Sequence, residues 1–260
     1  MQIPRFFLPA DFIDMQSRVV TISDAAICNQ LANVLRMRGG EQLDILDGRG
    51  SIYHCILNKT QGNRGRCTAA IDSQEQATGE PRIKLAVAMP LLRSGRFEWA
   101  IEKLTELGAN EIVVIETKRS VVQVSEKSSS ASGREQKLKR WHAIAREAAE
   151  QCERGLIPEV VWPVSLERFL EEGSSQYGRL LICAERSGAQ PLSALLANSE
   201  VDLAEASLAV LVGPAGGFTE NEFEQAEKAG AQPVTLGKRI LRSETAAVYA
   251  ASLITGCLDK

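Results

Sequence analysis

At 260 residues, 44% of them hydrophobic and 24% charged, the chain is long enough to bury one large core or two modest ones. Its 30 basic and 33 acidic side chains leave the whole slightly acidic, which excludes a generic polyanion binder. No run approaches the ~20 apolar residues of a membrane span, and MQIPRFFLPADF lacks a signal-peptide layout, so a soluble cytoplasmic protein with no membrane partner is expected.

The N-terminal part reads as short strands: RVVTIS, EQLDILDG, GSIYHCILN and RCTAAID, with turn signals at Asp47-Gly48, Arg49-Gly50 and Gly62-Asn63. One helix, about Asp24 to Met37, interrupts them. The pattern predicts a small, mainly antiparallel barrel. A polar stretch, SQEQATGEPR from Ser73 to Arg82, then marks a boundary, giving an N-terminal domain over 1–73 and a second over 74–260. Beyond it, KLAVAMPL, FEWAIEKLTELG, EIVVIET, KLKRWHAIAREAAEQ, LLICAE, LAVLVG and PVTLG alternate strand and helix patterns. That alternation predicts a parallel α/β sheet with helices on both faces. Phe97, Ala100, Ile101, Leu104 and Leu107 form the apolar stripe of its first helix. Trp99 and Trp141 are expected to pack in cores.

Charge is uneven along the chain. From Lys118 to Arg146 there are eight basic residues against two acidic ones, flanking SSSASG, and Arg36, Arg38, Arg49, Arg64 and Arg66 form a second basic set. Both sets suit RNA phosphates; the alternative is solvated helix and loop surface. Six cysteines (Cys28, Cys55, Cys67, Cys152, Cys183, Cys257) contain no CxxC pair, and only His54 and His142 are imidazoles. Reduced thiols and no metal centre are expected, and a Ser-His-Asp triad lacks its GxSxG motif.

The chemistry concentrates in LAVLVGPAGGFTENEFEQAEKAGAQPVTLGKRILRSETAAVYAA. Two glycine-containing loops, each after an apolar strand and before a helix, lie about twenty residues apart. Such loops bring backbone amides and a helix N-terminus close to a ligand, although glycines that merely turn and cap would look similar. Thr219 and Glu222 form a capping box, Gly230 is a natural stop, and Ser243 is the expected cap of the last helix. GPAGGF matches neither GxGxxG nor GxxxxGK[ST], so the dinucleotide and P-loop readings lose their main support.

Five ordered segments together resemble a known family: NVLRMRGGEQLDILDG, IEKLTELGANEIVVIETKRSVV, RWHAIAREAAEQCERGLIPEV, the GPAGGF loop and LGKRILRSETA. They are similar to the bacterial methyltransferases that modify N3 of a uridine in small-subunit (16S) ribosomal RNA, members of the SPOUT class. The resemblance implies a PUA-like RNA-binding β-barrel followed by an α/β domain with a deep C-terminal trefoil knot, and a homodimer acting on 16S RNA within the small subunit. It implies S-adenosylmethionine held by three loops: Ala184 and Glu185; Val212, Gly213, Pro214, Gly216 and Gly217; and Leu236, Gly237, Ile240 and Leu241.

Within that resemblance, Arg242 is the candidate for stabilising charge on the uridine oxygens, and Glu244 could accept the N3 proton or hold Arg242. Arg36, Arg38, Arg119, Arg140 and Arg154 are candidate RNA contacts. The chain departs from the family at Ala215, where Glu is usual. Two rivals follow: a SPOUT enzyme for another RNA, and a non-catalytic RNA-binding protein.

Overall fold

The structure is a computed structural model that describes residues 3–61, 66–122, 130–184, 188–197 and 207–258. It divides into two compact units, Met1–Glu80 with Ala149–Ile157, and Pro81–Ala148 with Pro158–Lys260.

The first unit holds strands β1 (Arg5–Phe7), β2 (Ile13–Asp14), β3 (Val19–Ile22), β4 (Gln42–Leu46), β5 (Ser51–Gln61) and β6 (Arg66–Gln76). They form one sheet in the order β1-β4-β5-β6-β3-β2, antiparallel except for the β1–β4 pair. The first four residues of the polar boundary stretch, Ser73 to Gln76, are therefore strand rather than linker. Register shifts at His54/Cys55 and Leu57/Lys59 mark bulges between β5 and β6, and bulges increase local twist. The sheet curls as a half-barrel around one core of Phe6, Ile22, Leu31, Leu43, Leu57 and their neighbours.

Helix α1 (Ala25–Asn29) closes that core with Ile27 and Cys28. Asp24 caps it by accepting from the N–H groups of Ala26 and Ile27, as its side chain and position dictate. The predicted helix continues as a wider turn over Gln30–Val34, in which Leu35 N–H donates five residues back to Gln30 O at 2.8 Å.

Residues 149–157 cover the sheet's other face, where Ala149 and Ile157 join Phe7, Leu46 and Ile52. Burial on both faces explains why QLDIL lacks simple alternation. Arg154 fixes this segment. Its guanidinium reaches Glu80 at 2.7 Å, and the same carboxylate accepts from Gly155 N–H and Leu156 N–H, each at 3.0 Å.

The second unit contains β7 (Lys84–Pro90), β8 (Glu111–Glu116), β9 (Glu159–Ser165), β10 (Arg179–Cys183), β11 (Gln190–Pro191), β12 (Ser207–Leu211) and β13 (Gln232–Thr235). Their order is β11-β13-β10-β12-β7-β8-β9, and every pairing is parallel. Helices α2 (Ser94–Glu106), α3 (Ala131–Gln151), α4 (Leu166–Gln176), α5 (Leu192–Ala197), α6 (Glu220–Lys228) and α7 (Ser243–Leu258) complete it.

Both faces of this sheet are buried. Ala86, Ala88, Val113, Ile115, Ile182 and Leu211 pack against α4 and α6, whereas the alternate positions Leu85, Val87, Ile112 and Val114 are buried toward the other face, where α2 packs on α7. Edge strand β9 carries an extra residue, since Val113 pairs with Val161 but Ile115 pairs with Val164. Pro163 lies within that bulge, where its missing N–H costs no ladder bond.

Candidate active site

A cavity of about 660 Å³ opens beyond the carboxyl ends of β10, β12 and β13. Ligands in open parallel sheets bind on that side, where strand-to-helix loops present backbone groups. Ala184, Val212, Gly213, Pro214, Gly216, Gly217, Leu236, Gly237, Ile240 and Leu241 all line it. Glu185 lies outside the described residues. Arg239, within the Leu236–Leu241 segment, lines it too, and the wall also takes Arg119, Phe218, Thr235 and Ser243, which the resemblance did not assign to the cofactor.

The first loop, Val212–Phe218, runs from β12 to α6. Val212 N–H donates to Ala88 O at 2.8 Å, extending the β12–β7 pairing to the loop's first residue. Gly217 N–H then turns back to Pro214 O at 2.8 Å, and Gly217 has φ 68°, a conformation that glycine adopts without strain. In the second loop Gly237 has φ 115° and exchanges hydrogen bonds with the Thr235 hydroxyl at 3.2 Å. A Cβ at Gly217 or Gly237 would meet nothing within 4 Å, so both backbones border open space.

The capping box at α6 is present as expected. Thr219 accepts from Glu222 N–H, while Glu222 Oε2 accepts from Thr219 N–H at 2.8 Å. The other Glu222 oxygen accepts Lys118 N–H at 2.7 Å, which ties the loop after β8 to the start of α6. Burial pushes the Glu222 carboxyl up, but hydrogen bonds from Thr219 and Lys118 outweigh it and hold the group below its ordinary range.

Ser243 does something other than cap. Arg242 O accepts Ala246 N–H at 2.8 Å, which makes Arg242 the cap position and Ser243 the first residue of α7. The Ser243 hydroxyl is then free to donate to Gly213 O at 2.7 Å, linking the two glycine loops.

Arg242 is exposed and forms no ion pair with a described residue. Glu244 is 8% exposed, and its ionic partner is Arg96 on α2 at 3.7 Å rather than Arg242. Two residues separated only by Ser243 thus have different surroundings: a guanidinium without a described ionic partner at the loop's end and an anchored carboxylate one step into the helix.

The expected RNA contacts separate into three kinds. Arg36, with φ 54°, and Arg38 are exposed in the first unit. Arg140 is exposed but pairs with Glu98 at 2.8 Å. Arg154 departs from the expectation. Arg154 is 3% exposed and spent on Glu80, the geometry of a structural ion pair rather than of a surface contact. Arg119 is exposed, and its guanidinium turns back to the first glycine loop, donating to Gly216 O at 2.9 Å.

Trp141 is buried edge-on against Phe97, with centroids 4.9 Å apart. Trp99 falls off the apolar stripe of α2 and is 42% exposed, contrary to expectation. Among the described residues, no three His, Cys, Asp or Glu side chains group as a metal site, and no helix is long and apolar enough to cross a membrane.

This fold and cavity correspond to a defined class. Residues 79–255 match the RNA methyltransferase domain, and residues 31–69 match the RNA methyltransferase PUA domain. Among relatives, a ribosomal RNA small subunit methyltransferase E from Synechocystis sp. is 33% identical over 92% of this chain and 74% of its own length. One of the same name from Mesomycoplasma hyopneumoniae is 37% identical over 73% of this chain and 76% of its own. The crystal structure of a ribosomal RNA small subunit methyltransferase E from Neisseria gonorrhoeae, bound to S-adenosyl methionine, superposes with a TM-score of 0.81 at 28% identity, covering 98% of both chains. The chain belongs to the ribosomal RNA small subunit methyltransferase E family.

Proposed function

We propose that this chain is an S-adenosylmethionine-dependent methyltransferase that methylates N3 of a uridine in 16S ribosomal RNA. The observation that carries the reading is the cavity walled by three strand-to-helix loops, in a chain whose relative of the same fold binds that cofactor. Its volume of about 660 Å³ suits a ligand of this size, and the open backbone at Gly217 and Gly237 is a cradle that side chains would fill. Ala184, Val212–Gly217 and Leu236–Leu241 would hold the cofactor through their backbones, with Ala215 in place of the family's usual Glu. When bound, the cofactor supplies an electrophilic methyl group on a sulfonium.

The chain's own residues prepare the acceptor. Uridine N3 becomes nucleophilic as its proton leaves to solvent water and negative charge spreads to O2 and O4; the new N3–methyl bond would form as the sulfur–methyl bond breaks, with S-adenosylhomocysteine leaving. Arg242, exposed beside the second loop and without a described ionic partner, can donate two hydrogen bonds to those oxygens and favour the anion. Glu244 pairs with Arg96, which holds the first turn of α7 in place.

The wider reading follows from the same residues. The half-barrel of the first unit is a PUA-like RNA-binding module, with exposed Arg36 and Arg38 toward phosphates. The trefoil knot of the class belongs to the same reading. Exposed Trp99 on α2 and Tyr249 on α7, two helices that pack together, support a homodimer through this helix pair. The substrate is 16S RNA in the small subunit, in the cytoplasm. Arg242→Ala tests the assignment: methyl transfer should be lost while cofactor affinity stays within about twofold, and retained transfer would remove Arg242 from the mechanism.

A further inference from the structure

We propose that Arg119 is a positioning residue that clasps the first cofactor loop, and that it acts on methyl transfer through that loop rather than through RNA phosphate. The inference rests on the cofactor reading of the cavity.

Arg119 follows β8, in a chain turn closed on itself by Thr117 and Ser120. Thr117 N–H donates to Ser120 Oγ at 3.3 Å, and the two hydroxyls lie 2.8 Å apart. This closed turn presents two groups to the first loop, about a hundred residues further along the chain. The backbone N–H of Lys118 meets Glu222 Oε1 at 2.7 Å, and the Arg119 guanidinium donates through Nη1 to Gly216 O at 2.9 Å and to Phe218 O at 3.4 Å.

Packing reinforces the polar contacts. A Cβ placed on Gly216 would lie 3.4 Å from both Cβ and Cδ of Arg119, so the side chain's apolar stem lies along the glycine backbone. With Ser243 holding Gly213 O, the loop is gripped at both ends: by the start of α7 at Gly213 and by the β8 turn at Gly216, Phe218 and Glu222.

A loop that contacts a ligand through backbone groups has no side-chain rotamers with which to adjust, so its affinity depends on where the backbone is held. Hydrogen bonds from a charged donor to a carbonyl are the stronger kind and set that position. Ala215 adds nothing, since its methyl group offers no polar anchor. The clasp on the two carbonyls must therefore come from outside the loop, and Arg119 supplies it.

The test separates a clasp from a phosphate contact with two variants, Arg119→Met and Arg119→Lys, each measured for S-adenosylmethionine affinity by calorimetry and for small-subunit affinity across a salt series. The clasp predicts that Arg119→Met weakens cofactor binding about tenfold, the factor corresponding to ~1.4 kcal/mol. Subunit affinity and its salt slope should stay as in the wild type, and Arg119→Lys should recover part of the cofactor affinity by supplying one donor. Unchanged cofactor affinity in Arg119→Met, together with weaker subunit binding and a salt slope reduced by about one, would overturn the inference in favour of a phosphate contact. If cofactor and subunit affinity both stay unchanged, the clasp is likewise overturned while the cofactor reading stands. Wild-type protein that fails to bind the cofactor would defeat the underlying reading instead.

Discussion

The Ser243 hydroxyl donates to the carbonyl of Gly213 at 2.7 Å, joining two residues thirty positions apart and both lining the same cavity. Through this bond the start of the last helix determines where the first glycine loop begins. Ser243→Ala should leave the Gly213 carbonyl without its side-chain donor, costing about 1–3 kcal/mol if the carbonyl stays dry. Calorimetry should show weaker S-adenosylmethionine binding, and denaturant unfolding a lower midpoint. If both match the wild type, the bond does not hold the loop.

Glu222 serves two elements with one carboxylate. Replacing it with Ala removes acceptors for Thr219 N–H and Lys118 N–H together, so the expected loss exceeds the ~1 kcal/mol of a single helix cap. The acid side has a definite sign. Because the folded group titrates below its ordinary value of 4.5, its contribution is complete above about pH 4.5 and is lost as pH falls through the folded value. Acid unfolding curves of wild type and Glu222→Gln should therefore converge as pH drops; a constant gap would contradict this.

His54 carries the opposite sign. Its hydrogen bond to Asp44 at 2.8 Å, with Glu75 at 3.3 Å, raises the imidazole above 6.5 despite burial, which acts the other way. A raised folded value stabilises fully below about pH 6.5 and fades as pH rises through it. Melting of the wild type should fall between slightly acidic and alkaline pH more than melting of His54→Gln. A chemical-shift titration of His54 with its midpoint at or below 6.5 would refute the coupling.

The Arg154–Glu80 pair is buried, with side chains 4% and 16% exposed. Removing one partner strands the other, so Glu80→Ala should destabilise the first unit by about 3–5 kcal/mol in urea unfolding. A cost below ~1 kcal/mol would mean that the guanidinium finds water instead. An effect of Arg154→Met confined to RNA affinity would restore its place among the RNA contacts.

Much of this architecture was legible because its signals are local. The capping box needs only Thr219 and Glu222 at the right spacing, and the cavity loops announce themselves as glycine-rich turns between an apolar strand and a helix. Several features left no such trace. β1 joins β4 in parallel, and 149–157 returns to the first unit, through contacts between residues more than thirty positions apart. Arg154 read as surface charge because its partner, Glu80, lies about seventy positions away in sequence, and the contact of Arg119 with Gly216 spans about a hundred. Ser243 looked like a cap because serine before a helix usually is one, and only the hydrogen bond from Ala246 to Arg242 shows the helix beginning one residue earlier.

Purified protein, labelled S-adenosylmethionine and unmodified small ribosomal subunits should yield one methylated nucleotide, mapped by mass spectrometry as N3-methyluridine in 16S RNA. A methyl group on another base or another RNA, or no transfer from protein that binds the cofactor, would contradict the account.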